Sequence, residues 1–251
     1  MNKVLALITF LCIGAMATPI NLSGANGEQT LQEILDSITV TPTPGVSSIN
    51  VITDQLSSDE IWTSTASGGA IATFIIEIAT FANTNSFGIY DLTSASFLEI
   101  FSGPQREGSQ ATLKFYDNGL ITVSNDSIGR YGEATFSSNN FGFYLGTNNF
   151  GTFYSQASKN SDGLDHMVAF QGNNIDELKI APFKPGVWTS DEYILAWEDV
   201  PVSTFYFDAD YNDLVVLIES VRPVPEPASL SLIGIGLATM LSSGFFKRKR
   251  S

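Results

Sequence analysis

From residue 71 onward the chain is a succession of short β-favouring runs parted by glycine, asparagine, aspartate or serine. The runs fall at 71–81, 86–90, 96–101, 111–116, 120–124, 133–136, 141–145, 151–154, 166–170, 193–197 and 214–221, and they are rich in Phe, Ile, Val and Tyr. Segments of this length and composition, separated by turn residues, predict strands rather than helices. Asp117-Asn118-Gly119 between two of them is a hairpin signal, because Asn-Gly accepts the positive φ of a tight turn. Short alternating strands without intervening helical repeats favour an all-β fold, an antiparallel, jelly-roll-like β-sandwich, over an α/β one.

One helix is expected ahead of the sheets. Leu31, Ile34, Leu35 and Ile38 recur at helical spacing, with Asn26 as the cap and Gln29 as its partner. The helix must stop before Thr39-Val40-Thr41-Pro42-Thr43-Pro44-Gly45.

Both ends differ in character from this body. Lys3 precedes an apolar run, and Ala15 and Ala17 form a small-x-small pattern. That is the layout of a secretory signal helix cleaved after Ala17, with the Sec translocon as the partner. At the other end, residues 228–246 are 19 positions without a charge, followed by Lys247-Arg248-Lys249-Arg250. About 17–25 apolar residues cross a bilayer, so a transmembrane helix is expected there. The trailing cations set its C-terminus in the cytoplasm. The organisation read from the sequence is therefore a signal at 1–17 and a short helix with linker at 18–45. An acidic β-domain follows at 46–223, then a C-terminal segment at 224–251.

All 26 acidic residues lie between Glu28 and Glu226, and without Lys3 and the four terminal cations they face seven basic ones, a net charge near −19. Such a surface excludes nucleic acid as a partner, because phosphates need cationic contacts; it suits cation binding instead. The single cysteine, Cys12, lies in the signal, so the exported part has no disulfide.

The densest chemical signal is Asp208-Ala209-Asp210-Tyr211-Asn212-Asp213, directly before a strand. Hard cations such as calcium need several oxygen ligands at once. Asp208, Asp210, Asn212 and Asp213 supply them, and Glu198 and Asp199 join if the flanking strands are neighbours. The loop is not an EF-hand: its sixth position is Asp213 rather than glycine, and its twelfth, Glu219, falls inside the next strand. A solvated acidic hairpin is the plainer alternative. Asp165 and His166 are candidates for the same site, with a hydrogen-bonded turn the ordinary role for His166. Enzyme chemistry is not expected. No nucleophile elbow or phosphate loop occurs, one histidine cannot furnish a zinc cluster, and the carboxylates are too clustered to flank a glycosidic bond. Phe141, Phe143, Phe150, Phe153, Tyr144 and Tyr154 either fill the core or form a sugar platform.

Two resemblances follow. Pro225-Glu226-Pro227, the apolar run and the basic end resemble a PEP-CTERM sorting signal. This resemblance implies an exosortase that recognises the tail at the inner membrane and cuts near Pro225-Glu226-Pro227. It also implies a Gram-negative bacterium that makes exopolysaccharide. Residues from about 141 to 223 resemble DUF4114, a domain of unassigned function in bacterial surface and secreted proteins. Phe141-Gly142-Phe143-Tyr144-Leu145, Asp162-Gly163-Leu164-Asp165-His166, Trp197-Glu198-Asp199 and the Asp208–Asp213 run carry it. The 201–206 segment departs from the glycine-rich link usual there. The expected function is an exported, noncatalytic envelope or matrix protein that binds calcium and associates with exopolysaccharide, transiently anchored at the inner membrane. A carbohydrate-binding module is the alternative, and a glycoside hydrolase ranks third.

Overall fold

The alternating runs become two antiparallel sheets packed face to face. The computed structural model describes residues 17–23, 27–65, 70–77, 82–103, 105, 107–125 and 129–225. Strands are numbered in chain order. The seven-stranded sheet runs β11 (Met167–Gln171), β14 (Glu192–Trp197), β15 (Leu214–Glu219), β3 (Ala70–Glu77), β6 (Gln110–Phe115), β7 (Leu120–Asn125), β8 (Arg130–Thr135). The six-stranded sheet runs β16 (Val221–Pro223), β2 (Trp62–Ser64), β9 (Asn140–Thr147), β4 (Ser86–Asp91), β5 (Phe97–Ser102), with β10 (Gly151–Tyr154) hydrogen-bonded to β9. A small third sheet joins β1 (Thr39–Thr41), β12 (Glu177–Leu178) and β13 (Gly186–Val187).

Period-two alternation decides what each strand buries. In β9, Phe141, Phe143 and Leu145 face the inter-sheet core. Tyr144 lies on the other face, edge-on to Phe97 at 5.2 Å. Phe153 joins the core as well, so these rings fill the sandwich interior. In β14, Tyr193, Leu195 and Trp197 enter this core, while Ile194 and Ala196 face outward. There α1 (Leu31–Ile38) covers them: its four apolar residues are buried against Val168, Phe170, Ile194, Ala196 and Val215. The seven-stranded sheet is thus apolar on both faces where the helix lies.

The helix cap is Thr30, not Asn26, which lies outside the described residues. The Thr30 hydroxyl accepts the Glu33 N–H at 3.2 Å, and Glu33 accepts the Thr30 N–H at 2.9 Å. A cap must directly precede the first helical residue to reach the free N–H groups of the first turn. Thr30→Ala is expected to cost about 1 kcal/mol. Thermal denaturation should register this as a melting temperature lower by about 2–4 °C.

The hairpin at Asp117-Asn118-Gly119 forms with positive φ at Gly119 alone, 81°, and its N–H bonds to the Tyr116 carbonyl at 3.0 Å. This is a type I turn closed by a left-handed glycine. The expected single strand at 214–221 is two. Ser220, at φ 60°, turns the chain out of the seven-stranded sheet so that β16 pairs with β2 in the other.

The expected C-terminal transmembrane helix requires correction. Mostly-β architecture with one short helix holds, but among the described residues no helix is long and apolar enough to cross a membrane. The 228–246 segment, on which a transmembrane helix was expected, lies outside the described residues, as do 1–16, Glu226 and Pro227. The inner-membrane anchor is accordingly not retained in the localisation.

Candidate metal centre

Trp197 ends β14 opposite Leu214, the first residue of β15. The two strands are antiparallel neighbours, so Glu198-Asp199 and Asp213 emerge at one end of the sheet, and residues 198–213 form the connection between them. Within it, Ala209 and Tyr211 adopt left-handed φ of 59° and 56°. For residues with a Cβ each such turn costs about 1–2 kcal/mol. Burial of Tyr211 in the core beneath the helix, with its hydroxyl donating to the Asp165 carbonyl at 2.7 Å, offsets that cost. The tight path brings Asp208 and Asp210 together, and Glu28 joins them from the segment leading into α1. Each of the three offers a carboxylate oxygen, all within 4.8 Å of one another.

Neighbouring amides hold this arrangement. Asn212 donates to Asp210 at 2.8 Å and to the Gln29 carbonyl at 2.7 Å, pinning the chain beside Glu28 to the loop. Asn21 donates through its side chain to the Asp208 carbonyl and through its backbone to the Ala209 carbonyl.

Glu198 is fully buried, and neither of its carboxylate oxygens has a hydrogen-bond partner. The Asn212 Oδ1 atom is unmatched too. Burial, then the charges of Asp208, Asp210 and Asp199, push the Glu198 carboxyl up to about 9. Burial, and after it Asp208 and Glu28, raise Asp210 to about 7. Asp208 is raised by burial as well. Two ionised carboxylates at this separation repel by roughly 3 kcal/mol at an effective dielectric of about 20. The cluster must therefore either take up protons or hold a cation.

Asp199 and Asp213 form a second, adjoining pair. The Asp199 N–H donates to Asp213 at 2.8 Å, and Asn85, just before β4, donates to the Asp199 carboxylate at 2.7 Å. Burial raises both carboxyls, Asp213 well above the usual range. Of the six residues expected at the site, Asp208 and Asp210 meet directly and Glu198 couples to both. Asn212 braces them, while Asp199 and Asp213 are engaged with each other.

Glu28 was not legible as a partner. It lies 180 residues from Asp208 in sequence, and only the packing of α1 on the sheet brings it there. His166 does not join the carboxylates. Its ring lies against Phe153 at 4.0 Å, its Nδ1 is 3.1 Å from the Glu198 carbonyl, and its Nε2 is 3.0 Å from Asp162. It positions the Glu198 backbone. Burial works against ionisation of Asp162, but hydrogen bonds from His166 and the Leu164 N–H outweigh it and hold that carboxyl below its usual range. Asp165 points elsewhere, accepting from the Thr18 hydroxyl at 2.8 Å.

Residues 119–221 match the family model described as domain of unknown function (DUF4114), and residues 223–250 match the PEP-CTERM protein-sorting motif. No curated protein and no solved structure matches the chain. The DUF4114 match opens at Gly119, earlier than the 141 expected, and contains the whole 198–213 connection. Glu28, Asn21 and Asn85, which complete or brace the cluster, lie outside it, as do β3, β4, β5 and β6. The matched segment supplies parts of both sheets and closes neither. A sorting motif of this class implies an exosortase-type partner.

Proposed function

We propose that this is an exported, noncatalytic protein of the outer envelope or extracellular matrix that binds calcium and associates with exopolysaccharide. Residues 1–17 direct it through the Sec translocon and are removed after Ala17, and the tail around Pro225-Glu226-Pro227 is handled by the exosortase. The observation that carries the cation reading is Glu198: a fully buried carboxylate with both oxygens unsatisfied, under the charges of Asp208, Asp210 and Asp199. Burying an unpaired charge costs several kcal/mol, and a divalent ion removes that cost. All the donors are oxygens, the set that hard cations take. Calcium suits a carboxylate-rich, irregular loop better than magnesium, which demands near-octahedral geometry and keeps its water.

Isothermal titration of the chelator-stripped protein with calcium and with magnesium tests this. Calcium is expected to bind with one-to-one stoichiometry. Asp210→Asn or Glu28→Gln is expected to weaken binding by about tenfold or more, because each removes a full charge from the ligand set. Absence of heat and of competition by any divalent cation overturns the reading.

A second reading, a carbohydrate-binding module, draws on the 201–206 segment. Phe205 is 98% exposed and Tyr206 is 62% exposed, with their rings edge-on at 6.1 Å, between Asp199 and Asp208. Exposed aromatic rings beside a cation suit sugar faces. Loss of retardation in polysaccharide-containing gels on Phe205→Ala would favour it.

A further inference from the structure

The acidic cavity beside β11 is separate from the carboxylate cluster. It encloses about 510 Å³, and its wall includes Ala17, Thr18, Asp59, Glu60, Asp165 and Pro225. Among the described residues, none lining it is a lysine, arginine or histidine. Three carboxylates thus share the cavity.

Thr18 is already seated there. Its backbone N–H donates to Gln55 Oε1 at 2.9 Å, and Gln55 Nε2 donates back to the Thr18 carbonyl at 2.9 Å. The Thr18 hydroxyl donates to Asp165 Oδ2 at 2.8 Å. One glutamine therefore clamps both main-chain groups of the residue, and an aspartate clamps its side chain. The chain continues inward, with Ile20 packed on the core beneath α1 and the Asn21 N–H bonded to the Ala209 carbonyl at 2.8 Å. On its other side Ala17 is exposed but still lines the cavity. The Ala17–Thr18 peptide bond, expected to be cut when the signal is removed, thus lies in the cavity wall.

We propose that the α-ammonium created at Thr18 by signal removal is the cation for which this cavity is built. Before cleavage the Thr18 nitrogen is a neutral amide with one hydrogen to donate, and that hydrogen goes to Gln55. Hydrolysis of the Ala17–Thr18 bond leaves a carboxylate on the departing Ala17 and an ammonium on Thr18. The ammonium carries a positive charge and two further donors, on the same residue whose hydroxyl already touches Asp165. An opposite charge within about 4–6 Å stabilises ionised carboxylates. Asp59 is raised well above its usual range by burial and then by Asp165 and Glu60, and Asp165 is raised by burial; the ammonium relieves both. Processing thereby completes the fold, locking the 18–21 strap that also braces the 208–210 loop.

The inference rests on the proposed cleavage after Ala17, so the test separates the two. N-terminal sequencing of the exported protein should read Thr18 first; another first residue overturns the cleavage. Independently, the chain from Thr18 to Ser251 is prepared with a free amine and with Met16-Ala17 retained ahead of it, both in chelator. The free-amine form is expected to melt about 4–8 °C higher, and Asp165→Asn is expected to abolish the difference. Should that variant fold poorly, acylation of the Thr18 amine serves instead. It is expected to run about tenfold slower in the folded protein than in urea, since a tenfold change corresponds to one pKa unit of protection. Equal melting temperatures, or an amine as reactive folded as unfolded, overturn the docking while leaving the cleavage intact.

Discussion

In chelator, the melting temperature falls as the pH rises from about 5 to about 9, and calcium reverses the fall. The sign follows from the carboxylate cluster. Glu198 is pushed up to about 9 and Asp210 to about 7, both far above the values of an unfolded chain. Between those limits the folded state binds more protons than the unfolded one, so stability declines with pH across that window. The stabilising contribution is fully present below the unfolded pKa values and is lost as pH passes through the folded ones. Calcium replaces the protons as the counter-charge. At about a hundredfold excess over Kd, binding adds about 2.7 kcal/mol. In a domain of this size that is a rise of roughly 5–10 °C at pH 8. At pH 5 the gain shrinks, because protons compete for the same oxygens. Differential scanning fluorimetry over a pH series with and without calcium checks both parts. A flat pH profile in chelator would show that the buried carboxylates are not as coupled as their geometry implies.

Trp62→Ala is expected to destabilise the protein by about 3–5 kcal/mol, a melting temperature lower by on the order of 10 °C. Trp62 is fully buried in β2 and lies edge-on to Phe143 at 5.7 Å and to Tyr193 at 5.0 Å. Those two rings belong to different sheets, so the indole couples the layers, and its loss leaves a cavity that two twisted sheets cannot collapse to fill. Trp62→Phe should recover part of the loss. Tyr131→Ala, at a side chain 78% exposed, should shift melting by no more than about 2 °C. Urea denaturation followed by tryptophan fluorescence distinguishes these outcomes, and an unchanged midpoint for Trp62→Ala would contradict the packing described.

Much of the β architecture was readable because strands of five or more residues carry period-two patterning. Phe141, Phe143 and Leu145 against Tyr144 is such a pattern, and the core accepts those residues on one side only. The strands that escaped, β1, β2, β12, β13 and β16, are two or three residues long, too short for any period to register. At Ser220 nothing in the sequence marks a left-handed turn, because serine has no preference for it; the switch between sheets is imposed by the pairing of β16 with β2. The cap went to Thr30 for a related reason. The apolar stripe fixes the helix to within a turn, while the cap is decided by which residue's φ/ψ lies just outside it.

The acidic run at 208–213 and the Glu198-Asp199 pair were visible in sequence because local carboxylate density is a linear property of the chain. Their division of labour was not. Glu28 enters only through α1 lying on the outer face of the seven-stranded sheet, and the Asp199 N–H bonds one oxygen of Asp213, whose charge still bears on Glu198 and Asp210. Composition and spacing alone determined that the chain is β-rich and acidic with a single cysteine near its N-terminus, since those are sums and patterns along one dimension. Which carboxylates share a site, and which face of each sheet is doubly buried, depends on contacts between residues more than a hundred positions apart. Only the folded chain sets those distances, and with them the charges that must be balanced.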